Sequence, residues 1–501
     1  MAHTFMLFTM LRFKIHIPKG LRHAAWGIAD TAIYPVAYLA TVPMLMHSLG
    51  AEGFGLWILL NTVITTLQMF NINAGIANMG VITVRGLTAA EATAEQRNEV
   101  FNATLSISIL LMVFAIMAGA MLAGTTAGNA IWGRANHAEN IAAGILLASG
   151  TGALKYVDQV LQTTIKAYHH FRTAAVLNML NRFGALVVCV WLANRYHSIA
   201  LVFGGYFIFT ALYIALQLAV TLSTIKGIRL ARFGNYSQYG RLLRSSLVPW
   251  LQAAIIALAF QTDKFWVAAF AGLRQVSCYG LVSTMFNHIH MIFTAMVLWM
   301  MPRMASMTSR GDDPKRLYDT VHSTLISLTI IALLAFYALS PTLLPAWVGQ
   351  ENYELMKASF KSFIAFELLF AQTIMPLLYL NAAGQSKQAL YSTLLICLPC
   401  YLFMIGGLYA YHSPASMVNG MSIALGISAP VVTATALNAM QPGRSKWQAL
   451  SEVLPTYMAI ALLYSPNRIW LYSPIAVALA LLIGKKFIPS VNQIAIWKPR
   501  A

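Results

Sequence analysis

Apolar segments of about twenty residues follow one another along the whole chain, and basic residues crowd into every second connection between them. The runs around Ala32–Met46, Ser106–Leu122, Leu201–Leu222 and Leu325–Leu344 are cores of such segments. At about 1.5 Å per residue, each is long enough to cross a bilayer as a helix. In lipid the backbone must satisfy its own hydrogen bonds, which leaves helices or closed barrels as the spanning structures. The continuous apolar runs select helices. A composition 58% hydrophobic and 10% charged, with mean hydropathy +0.66, lies outside the soluble range.

The sequence predicts about fourteen spans, one per roughly 35 residues. Their centres fall near residues 36, 66, 111, 153, 183, 209, 257, 290, 331, 369, 399, 426, 458 and 477. The last two, Val453–Tyr464 and Ile469–Leu482, are short, so twelve spans plus a hairpin stays open.

A net charge of +18 suggests nucleic acid until the charges are placed. Arg12, Lys14, Lys19 and Arg22 precede the first span; Arg85 and Arg97 follow the second; Lys166 and Arg172 follow the fourth. Lys226, Arg229, Arg232, Arg241 and Arg244 follow the sixth, and Arg303, Arg310, Lys315 and Arg316 the eighth. The intervening connections carry few. This is the positive-inside pattern, and it predicts both termini in the cytoplasm. It argues against nucleic acid as a partner, because no single basic surface is formed. Residues 1–23 lack a small-residue cleavage site and are expected as an amphipathic segment on the cytoplasmic membrane surface. Cys397-Leu-Pro-Cys400 has metal-site spacing but lies in an apolar span with no His or Cys pair nearby, so ordinary thiols are expected. No cofactor is called for.

The basic connection 223–246 divides the chain near its middle. Leu49-Gly50 followed by Phe54-Gly55-Leu56 in the first half is answered by Ala271-Gly272 followed by Tyr279-Gly280-Leu281 in the second. Ordinary interfacial turns can produce such pairs. With six spans on each side they predict two six-helix lobes related by a pseudo-two-fold axis along the membrane normal. The expected organisation is an all-α membrane protein: a cytoplasmic segment 1–23, an N-lobe 24–235, a C-lobe 236–440, and a C-terminal helix pair with a basic tail, 441–501.

Polar side chains inside a span are costly unless they face protein or water. Asn61, Thr65, Gln68, Asn71 and Asn78 share one helical face of the second span. Lys155, Asp158, Gln159, Gln162 and Lys166 form a stripe in the fourth, and Ser283, Asn287, His290 and Thr294 one in the eighth. Together they predict a shared hydrated cavity; helix-packing hydrogen bonds are the alternative. The charged intramembrane residues are Asp30, Lys155, Asp158, Arg182, Asp263, Lys264 and Glu367. Lys155 and Asp158 can pair on one helix. Arg182 has no acid close to it in its own span, and its planar fork suits phosphate oxygens; pairing with Asp30 or Asp158 across the bundle is the competing reading. His288 and His290 can titrate near neutrality. There is no GxxxxGK[ST] loop, no HExxH and no nucleophile–base pair, so ATPase and membrane-enzyme readings have little support.

Several blocks resemble the Wzx-type polysaccharide flippases. They are Tyr34–Gly80 (YPVAYLATVPMLMHSLGAEGFGLWILLNTVITTLQMFNINAGIANMG), Tyr168–Val190, the stretch from Arg244 through Asp263-Lys264 to Met301-Pro302-Arg303, and Asn381–Tyr391 (NAAGQSKQALY). That family lies in the larger group of MATE-type multidrug exporters and lipid II flippases. The resemblance implies about fourteen helices, two lobes around a central cavity and alternating access. The implied cargo is a polyprenyl-pyrophosphate-linked oligosaccharide, moved to the outer leaflet of a bacterial inner membrane for surface polysaccharide such as O-antigen or capsule. Membrane lipids and the pathway's polymerase and chain-length proteins are the implied partners. The chain departs from the pattern at FNINAG, where relatives often place an acid before the glycine, and Lys155 maps to no family motif.

On this reading Arg182, Lys155 and Lys264 face the pyrophosphate, and Asn61, Gln68, Asn71, Gln162 and Asn287 the sugars. Asp30, Asp158, Asp263 and Glu367 are the ion-coupling candidates. Two rival functions stand beside it. One is a MATE-like exporter of organic cations, which would want an acidic, aromatic cavity. The other is a membrane-embedded glycan polymerase or acyltransferase.

Overall fold

The computed structural model describes residues 19–69, 71, 93–124, 138–168, 170–225, 227–230, 236–441, 446–465, 479 and 483–484. Most of the amphipathic segment 1–23, Asn78, most of the span around residue 477, the basic tail and the side chain of Asp30 lie outside the described residues.

Helices carry the whole described structure. The helices before residue 236, called the first lobe for reference, are α1 (Lys19–Met69), α2 (Ala94–Gly124), α3 (Ala138–Ala167), α4 (Phe171–Tyr196) and α5 (Ile199–Thr224). Those from residue 236, called the second lobe, begin with α6 (Tyr236–Gln261), α7 (Asp263–Ala271), α8 (Leu273–Val297), α9 (Met300–Arg310), α10 (Lys315–Val348) and α11 (Gln350–Phe370). They continue through a 3-10 turn (Ala371–Thr373) into α12 (Ile374–Ala382), α13 (Ser386–Tyr411) and α14 (Pro414–Met440), and α15 (Lys446–Tyr464) follows. Among the described residues, ten helical stretches are long and apolar enough to cross a membrane. α3 has the length, with Lys155, Asp158 and Lys166 along it. The predicted first and second spans are both in α1, broken at Gly50. The seventh is α6 and α7, and the tenth is α11 continuing into α12.

The halves repeat in geometry. Gly50 (φ 71°, ψ 172°) and Gly272 (φ 80°, ψ 170°) turn the chain in nearly the same way between consecutive spans, in a region that only glycine enters cheaply. A second repeat escaped the sequence reading. Tyr196-His197-Ser198 and Tyr411-His412-Ser413 end α4 and α13, both histidines at φ 50°. Each histidine holds the residue two before the matched glycine: His197 Nδ1 is 2.6 Å from the Ser48 carbonyl, and His412 stacks on Phe270.

The lobes meet where α1 crosses α8. A Cβ on Gly55 would lie 2.2 Å from the Leu273 carbonyl oxygen, and one on Gly280 would lie 2.6 Å from Ile58 Cγ2. The two glycines of the sequence repeat thus set the close approach of the lobes.

A second tie crosses the boundary. Pro43 lies inside α1 and has no N–H to give the Leu39 carbonyl one turn earlier. Trp347 of α10 supplies the missing donor, with Nε1 at 2.9 Å from that oxygen. Replacing Trp347 by Phe keeps an aromatic ring and bares the carbonyl. It should lower stability by about 1–3 kcal/mol, read as a lower unfolding midpoint of the purified protein.

Candidate functional site

Two cavities are lined by these helices. The first, about 180 Å³, lies mainly in the second lobe. Phe260 and Gln261 of α6, Asp263 and Lys264 at the start of α7, and Ser283, Asn287, His288 and His290 of α8 line it. Phe363, Phe366, Glu367 and Phe370 of α11 close the far wall, and Tyr38, Asn61 and Thr65 of α1 close the near one. The second, about 40 Å³, lies in the first lobe and is lined by Trp57 and Asn61 of α1, Lys155 of α3, Asn181, Arg182 and Cys189 of α4, and Tyr206 of α5.

Asn61 borders both. Between them Tyr38 stacks on Trp57 (ring centroids 5.7 Å apart) and meets His288 edge-on at 5.5 Å. This aromatic septum separates two environments. The first-lobe cavity has two cationic side chains and no acid among its described lining residues. The second-lobe cavity has two carboxylates, Asp263 and Glu367, against Lys264, with phenylalanines around them.

The three polar stripes therefore divide instead of facing one space. Asn61 and Thr65 reach the second-lobe cavity together with Ser283, Asn287 and His290. Lys155 reaches the first-lobe cavity. Gln68 is half-buried and lines neither. Asn71 turns inward and donates to Gln159 Oε1 at 2.6 Å, a packing bond between spans. Gln162 is buried, with Nε2 donating to Tyr213 Oη at 3.1 Å. Gln68, Asn71 and Gln162 are thus placed away from both cavity walls.

The charged residues are tied as follows. Lys155 Nζ is 3.3 Å from Asp158 Oδ2, the predicted pair on one helix. Asn181 Nδ2 donates to the same oxygen at 3.3 Å. Adjacent residues on a helix diverge at their Cβ atoms, yet Lys264 Nζ reaches Asp263 Oδ1 at 3.2 Å, both residues standing in the first turn of α7. Asp263 also finds partners on another helix: Tyr279 Oη donates to Oδ2 at 2.7 Å, and Ser283 Oγ at 3.2 Å. Glu367, almost fully buried, lies 2.9 Å from His290 Nδ1. The His290 ring stacks on Phe370 at 4.2 Å. His290 as the partner of Glu367 was missed from sequence; its only signal was its place on the α8 stripe. Cys397 and Cys400 are buried thiols on α13, and Cys400 Sγ donates to the Met421 carbonyl.

No family model and no curated protein matches the sequence. Solved structures do match in fold. The lipid II flippase MurJ in an inward closed conformation superposes with TM-score 0.67 at 12% identity, covering 94% of this chain and 98% of that one. The MATE multidrug transporter DinF-BH gives 0.62 at 15% identity, over 85% and 96%. An inward-facing MATE family transporter of the MOP superfamily gives 0.61 at 12%, over 84% and 96%. With ten helices among the described residues able to cross a membrane, and these superpositions, the chain is a multi-pass helical membrane protein with the two-lobe fold it shares with a lipid flippase and multidrug transporters.

Proposed function

We propose that this protein flips a polyprenyl-pyrophosphate-linked oligosaccharide from the cytoplasmic to the outer leaflet of a bacterial inner membrane, by alternating access between its lobes. Both termini are then cytoplasmic, and the cargo feeds surface polysaccharide synthesis. One observation carries the reading: Lys155 and Arg182 line the first-lobe cavity beside the amides of Asn61 and Asn181, with no acid among its described lining residues. A pyrophosphate crossing hydrocarbon must exchange its water for cations and N–H donors. A guanidinium and an ammonium lining one cavity offer that exchange. The prenyl chain needs no such site, because it is soluble in lipid.

Lys155 and Arg182 take the pyrophosphate in this reading, and Asn61 and Asn287 contact sugars on either side of the septum. Lys264, held by Asp263, belongs to the second-lobe cavity. Glu367 and Asp263 are the carboxylates there that can couple an ion.

The test is a deletion strain whose lipid-linked oligosaccharides are extracted and assigned to a leaflet. Complete, unpolymerised units should accumulate on the cytoplasmic side and clear when the gene is restored. Restoring it as Arg182→Ala, with normal membrane levels, should leave export down at least about tenfold, the scale expected when one charged hydrogen-bonding partner is lost. Normal export by that variant would remove Arg182 from the proposal.

A second reading has its own observation. The second-lobe cavity is acidic and aromatic, a lining that suits an organic cation. Export of small organic cations predicts no accumulated glycan in the deletion strain and increased sensitivity to cationic dyes.

A further inference from the structure

Trp57 of α1 stands in the wall of the first-lobe cavity together with Lys155 and Arg182. It is only 3% exposed. Its indole nitrogen has no hydrogen-bond acceptor among the described residues. A buried indole N–H normally finds a partner, and a buried donor left without one is destabilising. The ring is not free to turn toward one. Phe54 stacks on it with ring centroids 5.5 Å apart and planes at 14°, and Tyr38 stacks on it at 5.7 Å and 26°. These contacts fix the plane of the indole, and with it the line along which the N–H can donate.

The groups around this cavity sort by what they can offer a ligand. Lys155, Arg182 and the Trp57 indole line it together, and all three are donors only. Asn61, which borders the same cavity, is oriented by Trp57 itself: its Nδ2 donates to the Trp57 carbonyl at 2.9 Å. Turning that amide over would set oxygen against oxygen, so Oδ1 is left available as an acceptor. The amide nitrogen of Asn181 is already committed to Asp158. The complement of this lining is a group rich in oxygen acceptors, with a hydroxyl beside it. The neutral N–H adds something the cations lack. A cation attracts an anion from any side, whereas a fixed N–H rewards only an oxygen placed on its axis.

We propose that Trp57 is a specificity-determining residue of the first-lobe cavity: its indole N–H donates to a phosphate oxygen of the cargo beside Lys155 and Arg182, while Asn61 Oδ1 accepts from a hydroxyl of the adjoining sugar. The proposal rests on the pyrophosphate reading of that cavity and adds to it a donor of fixed direction. A donor that the protein itself leaves without an acceptor contributes more to binding than one that must give up a partner first.

The test uses the full-length purified protein and radiolabelled farnesyl pyrophosphate, a prenyl pyrophosphate short enough to handle in detergent. Wild type should bind it saturably, and Arg182→Ala should lose most of that binding. Trp57→Phe keeps a ring for Phe54 and Tyr38 to stack on and removes the N–H. It should bind at least about tenfold more weakly, the scale of a lost hydrogen bond to a charged oxygen. The unfolding midpoint without ligand reads the packing loss separately. Should Trp57→Phe fail to fold, Trp57→Met, which also lacks the N–H, takes its place with the same expected loss. NMR of the indole N–H groups gives a readout that packing alone would not move: the ligand should shift one indole resonance of wild type downfield, and that resonance should be missing from the Trp57 variant. A Trp57 variant that folds and binds as tightly as wild type overturns the proposal and leaves the cargo reading standing, as does a shifted resonance that the variant retains. Absence of saturable binding by wild type overturns both.

Discussion

Gly55→Ala should cost the protein about 3 kcal/mol or more, at the upper end of what overpacking causes, and much of it should fail to reach a folded state. The added methyl would lie 2.2 Å from the Leu273 carbonyl oxygen and 3.0 Å from its carbon. Both are backbone atoms at the start of α8, directly after the Gly272 turn. They cannot rotate away, so the helices would have to part by on the order of 1 Å to restore ordinary contact. The matched position gives the control. A methyl on Gly280 meets Ile58 Cγ2 and Cδ1, side-chain atoms that can give where backbone cannot, so Gly280→Ala should cost less than Gly55→Ala, about 1–3 kcal/mol. Unfolding midpoints of the two purified variants compare the costs. Equal losses would mean that the lobe crossing does not depend on the backbone approach at Gly55.

Asp263→Ala is the second large effect. It removes the acceptor of three donors at once: the Lys264 ammonium and the Tyr279 and Ser283 hydroxyls. Lys264 is only 5% exposed, and an ammonium left there without its carboxylate should cost about 3–5 kcal/mol. Asp263→Leu combined with Lys264→Met removes both charges and should recover a large part of that loss. The two variants are compared by unfolding midpoint. If the double variant is no more stable than Asp263→Ala, the damage comes from Tyr279 and Ser283, and the ion pair is a minor term.

The sequence was most readable where a feature is local to one helix. Apolar run lengths placed the spans, since a bilayer fixes the length a helix must have. Gly50 and Gly272 were readable because their backbone conformation excludes other residues. Helical spacing put Lys155 beside Asp158 correctly. What stayed hidden depends on how one helix is turned toward another. Periodicity says that Asn61, Gln68 and Asn71 share a face. It does not say that Asn61 meets both cavities while Asn71 meets Gln159. Helix rotation and tilt are set by packing against neighbours, not by the segment's own pattern. The joining of His290 to Glu367 and the division of one expected cavity into a cationic and an acidic one were hidden for the same reason. The Asp263–Lys264 pair was hidden because adjacency on a helix fixes where the two side chains start, not which way a long lysine side chain turns.

The bond from Trp347 to Leu39 has a consequence for how the protein moves. Pro43 makes one carbonyl of the first lobe permanently dependent on a donor from outside its own helix. While the lobes stay as they are, that donor is the indole. If they separate along this seam, the oxygen must be met by water, because hydrocarbon offers it nothing. Parting at this seam and wetting of the seam are then a single event, and a lipid tail alone cannot wedge the lobes apart there without stranding a polar atom. Any state that opens this edge is a hydrated one, suited to a headgroup that arrives with its own water.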